Sequence, residues 1–166
     1  MGIKEGAFAL ALCAAFLSRR AAAEDSARGS LVVDGKPAAI AHVHAWARKG
    51  FFDEKKQDVV VLMCDAPVPP EARRDPFARA DLVKAGKLRC VEQTIDAAGQ
   101  VINYKVEHSG FGVPEGGGST EHVFEAKTFD GRTAAGRSRT RSPQKSFDDV
   151  PYSYDVTFSA AIEPLE

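Results

Sequence analysis

The sequence predicts a mainly β, single-domain antiparallel β-sandwich of the immunoglobulin-like kind, with about eight strands and one short helix. Between recurring Gly, Asn and Asp marks, apolar residues mostly alternate instead of recurring at helical spacing. The final stretch, VPYSYDVTFSAAI, sets Val150, Tyr152, Tyr154, Val156, Phe158, Ala160 and Ile162 on one face, and Pro151, Ser153, Asp155, Thr157 and Ser159 on the other. That is how a strand with one wet face is written. One segment alone, DPFARADLVKAG, reads as a helix.

In chain order, SLVVDGKPAAIAHVHAW reads as two strands around an Asp34-Gly35 turn, a strong short-range hairpin signal. QDVVVLMCDAP is a continuous apolar run rich in valine, suited to a strand covered on both faces and ended by Pro67, Pro69 and Pro70. In the helix, Asp75 stands at the N-cap, Pro76 in the first turn and Gly86 past the far end. Phe77, Ala80, Leu82 and Val83 give it an apolar side for a sheet. LRCVEQTID and VINYKVEH follow as a hairpin joined by AAGQ, with Ile102, Tyr104 and Val106 sharing one face. The loop SGFGVPEGGGST carries five glycines between Gly110 and Gly118, too flexible a run for a sheet. EHVFEAKTF, a turn at Asp130-Gly131, and RTAAGRSRTR precede the last strand.

The length of 166 residues, with 44% hydrophobic and 27% charged residues, suits one domain with a real core. The first 23 residues read as a secretory signal peptide. The apolar run Ala7 to Leu17 is too short to span a bilayer, follows Lys4, and leads to AAA before Glu24. Cleavage is expected after Ala23, leaving an N-terminal tail over 24–28 and the domain over 29–166, in the periplasm or outside the cell. An uncleaved anchor is the rival reading. Arg19 and Arg20 follow the apolar run, so this is no twin-arginine signal, and Leu12 before Cys13 does not fit a lipoprotein.

Removing that segment makes the net charge more negative than the −1 of the whole chain, which argues against a nucleic-acid or other polyanion binder by bulk charge. Cys64 and Cys90 then remain, and an even pair in an exported chain is more often a disulfide than a metal or redox centre. The other view is two buried free thiols.

His42 and His44, two apart in a strand, point their rings the same way and can offer two nitrogens to one copper or zinc ion. HVHAWA looks like the histidine-x-histidine strand of the secreted copper/zinc superoxide dismutases, but the likeness stops there. The more ordinary reading sets His42 and Trp46 on a partly exposed face with Ile40, while Val43, Ala45 and Ala47 pack inward. His108 and His122, beside Glu121, complete a metal site only if their strands meet the first pair. Ser109 beside His108 points to the opposite face, and no glycine-x-serine-x-glycine elbow occurs. Cys64 ends an apolar strand, a poor place for a nucleophile. PEGGGST lacks the lysine of a phosphate loop. Arg137, Arg139 and Arg141 alternate, so one face of a strand would carry a cationic stripe, extended by Lys145, able to grip an anionic polymer. The same charges also protect an edge strand from pairing.

GSLVVDGKPAAIAHVHAWA, FFDEKKQDVVVLMCDAPVP and PYSYDVTFSAAIEP, in that order, resemble a loosely defined group of exported bacterial β-rich single-domain proteins that carry no known activity. The resemblance implies export and a single β-rich domain, and transfers no functional residue. The expectation is therefore an exported non-enzymatic β-sandwich, a binding or accessory module without cofactor. Its partner would be another envelope protein or an anionic polymer, with no nucleic acid and no transmembrane segment in the mature chain. The alternative is a copper- or zinc-binding protein centred on His42 and His44. A hydrolase with a cleft beside the helix ranks last.

Overall fold

The computed structural model describes residues 25–165. The signal-peptide reading, with Cys13, lies outside the described residues. Eleven strands and two helices follow in chain order: β1 Ser26–Val33, β2 Lys36–Ile40, β3 His42–Lys49, β4 Gln57–Cys64, α1 Pro70–Arg73, α2 Pro76–Lys84, β5 Cys90–Ile95, β6 Val101–Glu107, β7 Glu115–Gly117, β8 His122–Phe129, β9 Thr133–Thr140, β10 Gln144–Lys145 and β11 Pro151–Glu163. Among the described residues, no helix is long and apolar enough to cross a membrane.

The fold is mainly β, and the eight expected strands become eleven joined in one branched sheet. Three local facts account for the difference. The strand expected over KPAAIAHVHAW breaks at Ala41, the Gly-rich loop contributes β7, and β10 is a short bridge onto β11. The break at Ala41 also corrects the expected face of β3, because Ile40 turns into the core at 2% exposure. β7 forms within the glycine run because it must lie close to its neighbour: a Cβ on Gly116 would sit 2.8 Å from the Tyr104 carbonyl oxygen. Ser26 to Arg28, expected as tail, already pair with Ser159 to Thr157.

β11 organises the sheet. One edge pairs with β1, the other with β9, and its last residues, Ile162 and Glu163, run parallel to Ala45 and Trp46 of β3. From β3 the ladder continues antiparallel through β4, β5, β6 and β7. Both arms send side chains into one core, including Leu31, Val156 and Phe158 from the first and Val61, Met63 and Val106 from the second. Tyr152, Tyr154, Val156, Phe158 and Ala160 are all buried, as their alternation predicts. The Asp34-Gly35 turn has both residues at positive φ, 50° and 71°, the geometry that matches the twist of a tight hairpin.

The unbroken apolar run of β4 serves two cores. Val59, Val61 and Met63 face the main one, whereas Val60, Leu62 and Cys64 face a smaller one with Trp46, Val68, Ala72, Val83 and Leu88. α1 and α2 cover this second face. Asp75 caps α2 by accepting from the Phe77 and Ala78 amides, and Gly86 follows it at φ 69°. The inward side of α2 differs from expectation, since Phe77 is 85% exposed while Arg79 is fully buried.

Arg79 reaches across the helix-covered face. Its Nε donates to Glu107 at 2.9 Å, its Nη2 to Glu92 at 2.5 Å, and its Nη1 to the Ala72 and Arg73 carbonyls at 3.2 and 2.7 Å. One guanidinium thus closes the open end of α1 and ties both helices to β5 and β6. Beside it, Cys64 and Cys90 face each other across β4 and β5 and form a disulfide, which clamps the helical excursion at its base.

Two stability outcomes follow from this arrangement. Arg79→Ala leaves Glu92 and Glu107 without their shared cation and is expected to cost about 3–5 kcal/mol, measured by urea unfolding. A result near zero would show that water replaces the guanidinium. Cys64→Ala/Cys90→Ala is expected to cost about 3 kcal/mol from loop entropy, and unreduced, denatured wild-type protein should show no free thiol from this pair.

Candidate functional site

The sheet does not close on itself. Among the described residues, β8 pairs only with β9, and β7 covers β6 only from Tyr104 to Val106, so the start of β6 has no neighbour on that side. Between these two open stretches lies a cleft of about 630 Å³. His122, Val123 and Phe124 of β8 form one wall, and Gly99, Gln100 and Val101, entering β6, form another. Gly118, Ser119, Thr120 and Arg141 complete it.

Behind the β8 wall runs a buried chain of polar groups. His122 is 2% exposed and stacks on Tyr104, with ring centroids 3.5 Å apart. Its Nδ1 is 2.8 Å from the Tyr154 hydroxyl, which takes a 2.9 Å bond from Gln93 Nε2. Its Nε2 is 3.3 Å from the Tyr152 hydroxyl. The Tyr152 and Tyr104 hydroxyls both reach Glu115 Oε1, at 3.2 and 2.7 Å, and the Phe147 amide donates to Oε2.

Donor counting gives this chain a direction when the ring is neutral. Gln93 donates to Tyr154, Tyr154 to His122 Nδ1, the Nε2 proton to Tyr152, and Tyr152 to the Glu115 carboxylate. Burial alone holds His122 down at about 4, and burial raises the Tyr152 and Tyr154 hydroxyls above the usual tyrosine range. Gln93 Oε1 and Ser138 Oγ have no hydrogen-bond partner in this network. Nothing in the sequence marked Glu115 as buried, because it sits amid glycines, and its role depends on tyrosines far along the chain.

Arg137 and Arg139 alternate along β9 and Arg141 follows it, and their charges are used unequally. Arg137 pairs with Asp155, with Nε–Oδ1 at 2.7 Å, and Arg139 with Glu125. Arg141 lies past the end of β9, donates through Nε to the Thr120 carbonyl at 3.0 Å, and makes no ion pair among the described residues. Lys145 pairs with Asp149 at 3.6 Å. A second groove, of about 1360 Å³, crosses β1, β11, β9 and β8 beside Arg28, Lys127 and Arg132.

The histidines separate. His42 and His44 are half-buried on β3, opposite Cys64 and Leu62. His44 is lowered by burial first and by the charge of Arg73 second. His108 accepts the Gly110 amide and His122 lies in the polar core. Among the described residues, no three His, Cys, Asp or Glu side chains group as a metal site. No family model, curated protein or solved structure matches the chain.

Acid should weaken the fold through His122. Its folded pKa of about 4 lies below the unfolded value of 6.5, so the native state favours the neutral ring. That contribution is fully present above about pH 6.5 and is lost as pH falls towards 4, on the order of 3 kcal/mol in all. Urea midpoints measured across this window should fall for wild type and fall much less for His122→Gln. Parallel curves would remove His122 as the cause.

Proposed function

We propose that this chain is an exported binding module of the bacterial periplasm or cell surface, a β-sandwich in character, whose ligand site is the cleft beside β8. One observation carries the choice of site: an arginine that makes no ion pair among the described residues stands at a cleft of about 630 Å³, within the size range of ligand sites. Arg137 and Arg139, on the same side of the molecule, are already neutralised by Asp155 and Glu125. Gln100, Ser119 and Thr120 add polar groups that fix orientation without a charge of their own. The ligand is therefore anionic at one point rather than along its length. Support for export comes from the apolar leader pattern and from the disulfide, which belongs to an oxidising compartment.

Titration of isotopically labelled protein with acetylglutamate checks the site. The amide signals of Gly118, Ser119, Thr120 and Arg141 should shift, the uncharged acetylglutaminamide, with both carboxylates replaced by amides, should shift them far less, and Arg141→Gln should abolish the difference. Equal shifts for both compounds, or unchanged shifts in the variant, would remove the cleft as the binding site. Export is checked separately by intact mass of protein from the native host, expected to begin near Glu24; soluble protein retaining Met1 would overturn it.

A further inference from the structure

We infer that one end of the domain docks onto a phospholipid bilayer, with Phe51 and Phe52 entering the interface and the cations beside them meeting the lipid phosphates. The inference is separate from the cleft beside β8, and one of its supports rests on the reading of the chain as exported.

Phe51 and Phe52 stand at the tip of the β3–β4 connection, 70% and 78% exposed, with ring centroids 5.0 Å apart and planes nearly perpendicular. The backbone beneath them is fixed. The Gly50 amide donates to the Lys56 carbonyl at 3.0 Å, and the Lys56 amide to the Asp53 carbonyl at 2.9 Å. The Phe51 amide donates at 2.8 Å to the carboxylate of Asp58, a buried residue. A Cβ on Gly50 would lie 2.3 Å from the Asp53 carbonyl oxygen, so the turn closes too tightly for a side chain there. A rigid turn thus holds two large rings in water. Single exposed rings are ordinary, whereas a contacting pair is a patch. Phe77 and Phe147 are of the single kind, exposed without a ring contact.

The topology brings the start of the domain to the same end. β11 and β3 run parallel where Ile162 and Glu163 meet Ala45 and Trp46, so both head towards the tip. β1 is antiparallel to β11 and starts at Ser26 opposite Ser159, and Asp25 accepts the Ala161 amide. Whatever precedes Asp25 therefore joins the domain at this end. The apolar run Ala7 to Leu17 ends eight residues before Asp25, a reach of at most about 29 Å. Export carries such a run into a membrane, so it delivers the domain with this end towards the bilayer.

Charge at this end is divided in a way that suits lipid phosphates. Arg48, Lys49, Lys55 and Lys56 flank the rings, all exposed, and none makes an ion pair among the described residues. Lys127 and Arg132, on either side of the turn that meets the end of β11, are likewise exposed and without an ion pair among the described residues. The aspartates turn to the backbone instead. Asp25 accepts the Ala161 amide, Asp53 that of Lys55, Asp58 that of Phe51, Asp96 those of Ala98 and Gln100, and Asp130 those of Arg132 and Thr133. Glu163 pairs with Arg74, and Glu54 is the one acid of the tip with no such bond among the described residues. Acids are held close to the main chain while cations stand outward on long stems, which lets the cations stay at a headgroup layer as the rings go below it. The two signs nearly balance in number, so the rings carry most of the affinity and docking is weak and reversible. A protein partner would need a pocket matched to both rings, whereas a bilayer interface encloses a protruding pair without one.

The test is flotation with vesicles of phosphatidylcholine and a minority of phosphatidylglycerol, using protein from the native host with its natural N-terminus. Wild type should float with the vesicles, and Phe51→Ser/Phe52→Ser should lower the partition constant at least about tenfold. Both rings are exposed, so the variant keeps its fold. Phe147→Ser removes an exposed ring before the start of β11 and should float as wild type does. Lipids spin-labelled near the headgroup should broaden the amide signals of Phe51 to Lys56 more than those of Phe77 and Phe147. Lys55→Glu/Lys56→Glu should weaken flotation by a smaller factor that shrinks in high salt. No flotation of wild type, or broadening confined to other surfaces, would overturn the proposal. So would equal flotation of the double phenylalanine variant when the leader is absent by intact mass. Where Met1 is retained, export fails on its own, and the broadening at Phe51 to Lys56 still decides the docking, since it reads the tip directly. A dimer that forms without vesicles and is lost in the double phenylalanine variant would assign the tip to a second copy and overturn the bilayer.

Discussion

The fold depends on one strand doing three jobs. β11 must be long enough to pair on both edges within the first arm and then reach β3 in the second. Its thirteen residues alternate without interruption, so every second side chain from Tyr152 to Ala160 enters the core. A shift of one residue would send all of them to solvent. Because Tyr152 and Tyr154 belong to this row, the same alternation that secures the core also positions the hydroxyls that flank His122.

Those hydroxyls explain how a histidine and a glutamate are tolerated inside. A buried polar group without a partner costs about 1–3 kcal/mol, whereas a satisfied network rigidifies its surroundings. Glu115 receives two tyrosine hydroxyls and one backbone amide, and both His122 nitrogens have tyrosine partners. The network spans β5, β6, β7, β8 and β11, so it binds the two arms at the side where no ladder joins them. The seam is thereby held without strand pairing, with His122 stacked on Tyr104 across it.

Elements governed by local rules were legible in the sequence, and those governed by distant contacts were not. Alternation announced β11, a continuous apolar run announced the doubly covered β4, and Asp34-Gly35 and Asp75-Pro76 announced a turn and a helix start. Each rests on backbone preferences within a few residues. Arg79 was invisible because an arginine on a helix reads as solvated, and only the arrival of Glu92 and Glu107 beneath it makes burial possible. β7 was hidden for the same reason, since glycine weakens a strand unless a neighbouring backbone must come close. The alternating arginines were visible as a stripe, but which of them lacks an acidic partner depends on Asp155 and Glu125 on adjacent strands.

The outer face of the second arm and the seam between the arms at β8 are closed in different ways. One face of β4 and β5 is sealed by α1 and α2, with Arg79 tying the helices down and the disulfide closing their base. A face closed by a buried ion network and a covalent bond does not open for a ligand without losing several kcal/mol. The seam at β8 is held instead by the buried network of His122, Tyr104, Tyr152, Tyr154 and Glu115, with no covalent bond among the described residues. There the guanidinium of Arg141 is held by its Nε bond to the Thr120 carbonyl and makes no ion pair among the described residues, so a ligand of the proposed kind would meet a cation already fixed in place.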